Sequence, residues 1–165
     1  MANLKKILKQ KLKDAKKIVV LGIGSEFRAD DAAGLLVAEE LKKIKNLKLK
    51  VILGSTAPEN FTGEIIKFKP THILIIDSVD IDQKPGFILL INPDEVGGIS
   101  FSTHMLPVKM MVDYLLASLE CEIIIIGIQP KILLFGENMS KEVKKSTRQI
   151  SDIIHQILQP LLDKN

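Results

Sequence analysis

The chain has 165 residues, 46% hydrophobic and 26% charged, with a formal net charge of +3. That is the size of one ordinary domain with enough apolar material for its own core, so neither disulfides nor a structural metal is needed to hold it together. Its few aromatic residues are not interleaved with the lysines, which argues against a base-stacking nucleic-acid surface. The apolar runs at 73–76 and 123–126 are too short to cross a bilayer.

Apolar positions at Leu4, Ile7, Leu8 and Leu12 have helical spacing and predict a helix over residues 3–14. This lysine-rich stretch lacks the apolar core and cleavage site of a secretory signal. The β-branched run at 17–22, closed by Gly22, predicts a buried strand. Residues 30–41 predict a helix that carries Leu35, Leu36, Ala38 and Leu41 on its apolar side. A second strand is expected at 49–53, a loop at 54–58 and a short helix at 60–67. The run 71–77 predicts a third strand stopping at Asp77, and 86–91 a fourth. Residues 93–102 contain Gly97 and Gly98 and read as a long loop. A helix follows from His104, with Leu106, Val108, Met111, Leu115 and Leu116 at helical spacing. The fifth strand is expected at 122–128. A last helix runs from Ser140 to Leu158, ending just before Pro160. Cys121, the one cysteine, excludes an internal disulfide and a CxxC metal site. It reads as a buried core residue in a reducing cytoplasm.

Apolar strands alternating with amphipathic helices imply an α/β fold: one three-layer αβα domain over residues 1–165, built on a mostly parallel, twisted, five-stranded sheet. Residues 1–16 form a helical extension at its N-terminus. In such a sheet ligands gather at the carboxyl ends of the strands. The loop after the first strand carries Asp30 and Asp31, the third strand ends at Asp77, and the loop after the fourth runs up to His104. Asp is also a favoured helix N-cap, which accounts for one of the paired acids but not for both. His72 starts a strand, away from that edge, and His155 sits within the last helix, so His104 is the better imidazole candidate. Two carboxylates and one imidazole suit a borderline divalent metal such as nickel or zinc.

Other chemistries fit less well. Gly22-Ile-Gly24 stands where a strand turns toward a helix, but Phe27 occupies the position where a dinucleotide fold needs its third glycine. The two glycines therefore read as a tight turn. There is no HExxH, no P-loop, and the Gly98-Ile-Ser-Phe-Ser102 stretch lacks the last glycine of a hydrolase elbow.

Six segments in order carry a resemblance. They are Val20-Leu-Gly-Ile-Gly-Ser25, Arg28-Ala-Asp-Asp-Ala-Ala-Gly34, Gly54-Ser-Thr-Ala57, Leu74-Ile-Ile-Asp-Ser-Val-Asp80, Ser102-Thr-His-Met-Leu106 and Ile126-Gly-Ile-Gln-Pro130. Together the chain resembles the hydrogenase maturation endopeptidases, and within them the subgroup that serves formate-hydrogenlyase-type enzymes. The resemblance implies a cytoplasmic peptidase that removes the C-terminal extension of a nickel–iron hydrogenase large-subunit precursor after nickel insertion. It implies that Asp31, Asp77 and His104 bind nickel, which the precursor supplies as recognition signal. It further implies an open twisted sheet between helices. The family usually has Asn where this chain has Ser25. Two rivals stand beside it: a non-catalytic nickel-binding, chaperone-like maturation module, and a nucleotide-binding α/β enzyme.

Overall fold

The computed structural model describes residues 1–98, 100–101 and 105–163. Helix α1 (Ala2–Lys11) leads into β1 (Ile18–Ile23), a 3₁₀ turn at Ala29–Ala32 and α2 (Ala33–Leu41). Then come β2 (Leu49–Ser55), a 3₁₀ turn at Pro58–Phe61, α3 (Thr62–Phe68), β3 (His72–Asp80) and β4 (Ile88–Ile91). A 3₁₀ turn at Pro93–Gly98, β5 (Ser100–Phe101), α4 (Met105–Ser118), β6 (Glu122–Ile128) and α5 (Lys141–Leu162) complete it.

The strands lie in the order β2-β1-β3-β6-β4. β1 is parallel to β2 and β3, and β3 to β6; β4 runs antiparallel to β6. The mostly parallel five-stranded sheet is as expected. Its central strands are buried on both faces, which is why they read as continuous apolar runs rather than alternating ones. The two-residue period of a strand then splits each run between two cores. Ile18, Val20, Leu74, Ile76, Ile124 and Ile126 pack with α1, α2 and α5. Val19, Leu21, Ile73, Ile75, Ile123 and Ile125 pack with α3 and α4. The result is helix layers on both sides of the sheet.

Leu8 and Leu12 are fully buried in the first of these cores, so the N-terminal helix is packed onto the body. Cys121 departs from expectation: it is half-buried beside the second core, where partial burial raises its thiol pKa. Several boundaries also differ: the first helix ends at Lys11, the helix expected from residue 30 starts at Ala33 after a 3₁₀ turn, and β2 runs on to Ser55. β3 continues past Asp77 to Asp80, because β5 pairs antiparallel with Val79 and Asp80 and satisfies the extended backbone there. The stretch read as loop at 93–102 contains a 3₁₀ turn and that strand. α5 runs through Pro160 to Leu162. A proline this close to the end forfeits one helical hydrogen bond, while Leu158 and Leu162 stay buried and the Asp163 N–H closes on the Gln159 carbonyl at 3.2 Å.

The chain leaves β1 toward β2 on one side and returns to β3 on the other. The carboxyl ends of β1 and β3 therefore flank the point where the strand order reverses, the place where open α/β sheets bind ligands.

Candidate active site

Two glycines bring the acidic turn onto these strand ends. Gly24 has φ +135, and a Cβ there would stand 1.8 Å from the Asp31 carbonyl oxygen. A Cβ on Gly34 would stand 2.1 Å from the Ile76 carbonyl oxygen and 2.4 Å from that of Ile23. Only hydrogen fits in either place, so the turn from Ser25 to Gly34 lies directly against β1 and β3. This matches the reading of Gly22-Ile-Gly24 as a tight turn. The nucleotide reading loses its seat: two carboxylates occupy the start of the helix where a pyrophosphate would bind.

The paired acids have different tasks. Asp30 is fully buried, and its carboxylate accepts the backbone N–H groups of Lys131 at 2.8 Å, Ile132 at 2.9 Å and Ser140 at 2.6 Å. Its own N–H donates to the Ile132 carbonyl at 3.0 Å. Asp30 is thus a clamp on the loop before α5, not a helix cap. Asp31 is also fully buried, and its Oδ2 accepts the Ser25 N–H at 3.1 Å. The Ser25 side chain serves the turn as well, its hydroxyl accepting the Phe27 N–H at 3.4 Å.

Asp77 lies inside β3, paired with Gly127 of β6, one residue beyond the last pairing of β3 with β1. It is 1% exposed, and its Oδ1 accepts the Ser78 N–H at 2.7 Å. Burial holds its pKa well above the usual carboxylate range; the charge of Asp31 pushes it the same way, and the Ser78 N–H opposes both. The fold therefore brings Asp31 and Asp77 into electrostatic contact. Among the described residues the second oxygen of Asp77 accepts no hydrogen bond.

His104 lies outside the described residues. Among the described ones, no group of three His, Cys, Asp or Glu could hold a metal ion by itself. The other histidines are placed as anticipated. His72 is at the amino end of β3, five positions or about 16 Å of strand from Asp77. Its ring nitrogens lie 3.1 Å from the Lys11 carbonyl and 3.1 Å from the Thr71 hydroxyl. His155 is on an exposed face of α5.

One site-supporting residue escaped the sequence reading except as part of a motif. Gln129 follows β6 and is 6% exposed. Its Oε1 accepts the N–H groups of Ile81 at 2.8 Å and Gln83 at 3.2 Å, while its Nε2 donates to Asp80 at 3.1 Å. It fixes the end of the strand that carries Asp77. The available signal was a lone amide directly after a seven-residue apolar strand.

A family model described as hydrogenase maturation protease matches residues 35–159. A Methanocaldococcus jannaschii protein named as a hydrogenase maturation protease is 42% identical over 96% of this chain and 98% of its own length. The hydrogenase 3 maturation protease of Escherichia coli K12 is 34% identical over 80% of this chain and 85% of its own. The crystal structure of the nickel–iron hydrogenase maturation protease HycI from Thermococcus kodakarensis superposes with a TM-score of 0.86 at 30% identity. That superposition covers 93% of this chain and 99% of the other.

Proposed function

Because the chain belongs to the hydrogenase maturation proteases and is thus a peptidase acting in hydrogenase maturation, we propose that it removes the C-terminal extension of a nickel–iron hydrogenase large-subunit precursor once nickel is in place. Nickel in the precursor is the recognition signal, read by Asp31, Asp77 and His104. The observation that carries this reading is the pair of buried carboxylates at the sheet's switch point. Two such groups repel each other and are costly to bury without a cation. Their oxygens, with one imidazole, suit a borderline divalent ion that keeps most of its ligands from elsewhere.

A nickel ion so held would supply Lewis-acid chemistry, polarising a nearby carbonyl or acidifying water. The chain's part is to place oxygen donors: the Ser25 N–H orients Asp31 and the Ser78 N–H orients Asp77. When a cation arrives, the favoured proton on Asp77 must leave, so recognition tightens as pH rises. No described helix is long and apolar enough to cross a membrane, and a single free thiol fits the cytoplasm that we assign to it.

The test compares nickel-loaded with nickel-free precursor by mass spectrometry. Loss of the extension only from the loaded form is expected. His104→Ala should remain folded and process roughly a hundredfold more slowly or worse. Unchanged cleavage by that variant would remove His104 from the site, and tight binding without mass loss by the parent would favour the chaperone-like module.

A further inference from the structure

The charge of this chain is unevenly placed. Residues 1–17 hold seven lysines and one aspartate, which leaves 16 basic against 19 acidic residues in the rest. The net charge of +3 therefore joins a strongly positive first segment to a mildly negative body. Helix α1 turns Leu8 and Leu12 into the core. Helical spacing then gathers Lys6 and Lys9, with Lys13 in the closing turn, on the opposite and exposed face. Other lysines of the segment are committed to the body: Lys11 meets Glu122 at 2.8 Å, and Lys17 donates to the Phe68 carbonyl at 2.7 Å. Lys13 reaches only Asp14, itself exposed, at 3.7 Å.

Where α1 meets the end of α5, Lys9 and Lys13 line a groove of about 260 Å³ whose other walls are Ile157, Pro160 and Leu161. Cations thus stand beside an apolar trough, with no acid among the lining residues. A polynucleotide site would offer aromatic faces to the bases, and neither α1 nor the groove's lining contains an aromatic residue. An acidic protein surface would use the lysines and leave the trough idle. Anionic lipid fits both halves: the ammonium groups meet phosphates, while lysine stems and trough lie against the glycerol and first methylenes. The placement suits attachment too. The end of α1 sits at the amino edge of the sheet, where the Lys11 carbonyl faces His72 of β3 and the Lys11 ammonium meets Glu122 of β6. Asp31 and Asp77 stand at the carboxyl edge, so a surface held by α1 leaves the candidate site open.

We propose that Lys6, Lys9 and Lys13, with the trough beside them, hold the protein peripherally on an anionic lipid surface. Three cations and one shallow trough give reversible, salt-sensitive attachment and no insertion. The inference stands on the charge distribution and the groove, and is independent of the peptidase reading.

Co-sedimentation of the full chain with unilamellar vesicles tests it. Vesicles of phosphatidylcholine with about 30% phosphatidylglycerol should capture the protein roughly a hundredfold more strongly than phosphatidylcholine alone, and added salt should shrink the margin. The variant K6Q/K9Q/K13Q alters only exposed positions and should keep the parental Tm while losing most of that margin. Equal capture by the two kinds of vesicle, or a variant that keeps the parental margin, overturns the proposal. Displacement of the bound protein by glycerol phosphate at the concentration of accessible lipid also overturns it, by making the groove a site for a free anion. Tighter binding to transfer RNA than to the anionic vesicles, lost in the same variant, reassigns the face to nucleic acid. The variant should process soluble nickel-loaded precursor with the parental kcat/KM; a large loss would assign these lysines to the precursor instead of to lipid. No cleavage by the parent defeats only the peptidase reading, and the vesicle comparison still decides the lipid surface.

Discussion

At Asp30 one carboxylate satisfies three backbone N–H groups. Asp30→Ala leaves all three without this acceptor, one of them buried and two part-buried, and stability should fall by about 3 kcal/mol in urea unfolding. Asp31→Ala removes fewer backbone partners and relieves repulsion, so it should cost clearly less stability while stopping precursor processing; equal destabilisation by the two would contradict the division of labour. Asp77 supplies a pH test. Its raised pKa means that the folded chain binds this proton more tightly than the unfolded chain does. The stability of the metal-free protein therefore declines as pH climbs from the ordinary carboxylate value through the raised one. Asp77→Asn escapes that decline. Without metal it should melt above the parent at neutral pH, with the gap closing near about pH 4. Calorimetry finding the variant less stable at neutral pH would refute the burial-and-repulsion account. At this scale the sequence showed the acids but could not divide their labour. The partners of Asp30 lie at separations of 101, 102 and 110 residues, and no local pattern encodes such contacts.

Elements were more legible than residues. Each of the five main strands was foreshadowed in the sequence, and the three central ones most plainly, because strands buried on both faces have little choice of composition. What periodicity missed was short or exceptional. β5 has only two residues, and its pairing with β3 depends on a partner about twenty positions away. The extra turn of α5 depends on Leu162 finding a buried seat despite Pro160. The contact between α2 and the sheet allows a sharp test. A methyl group on Gly34 would meet two backbone carbonyls, which cannot rotate away as side chains can. Gly34→Ala should therefore cost about 3 kcal/mol, at the upper end for overpacking, and should lift the turn bearing Asp31 off Asp77. A variant with parental Tm and normal processing would show that the close approach is dispensable.

At the scale of the whole molecule, the three layers divide the apolar residues into two cores that meet only through the sheet. The N-terminal helix belongs to one of them. Deleting residues 1–13 removes Leu8 and Leu12 from fully buried positions and takes the Lys11 carbonyl away from His72. The truncated chain should lose about 4 kcal/mol, roughly 2 for each leucine, as read by chemical denaturation; a loss under about 1 kcal/mol would make the helix an appendage. The sequence marked this segment as an amphipathic addition but held no sign of where it docks, since that depends on the far face of α5.

The Asp30 clamp also has a consequence in time. The turn that presents Asp31 is made early in the chain, yet its anchors are the backbone of residues 131, 132 and 140. During synthesis the buried carboxylate of Asp30 has no partner until most of the polypeptide has left the ribosome. Closing so large a loop is slow compared with forming the local helices. The carboxylate pair should therefore be among the last features to assemble, and a chain truncated before residue 131 should fail to process its precursor.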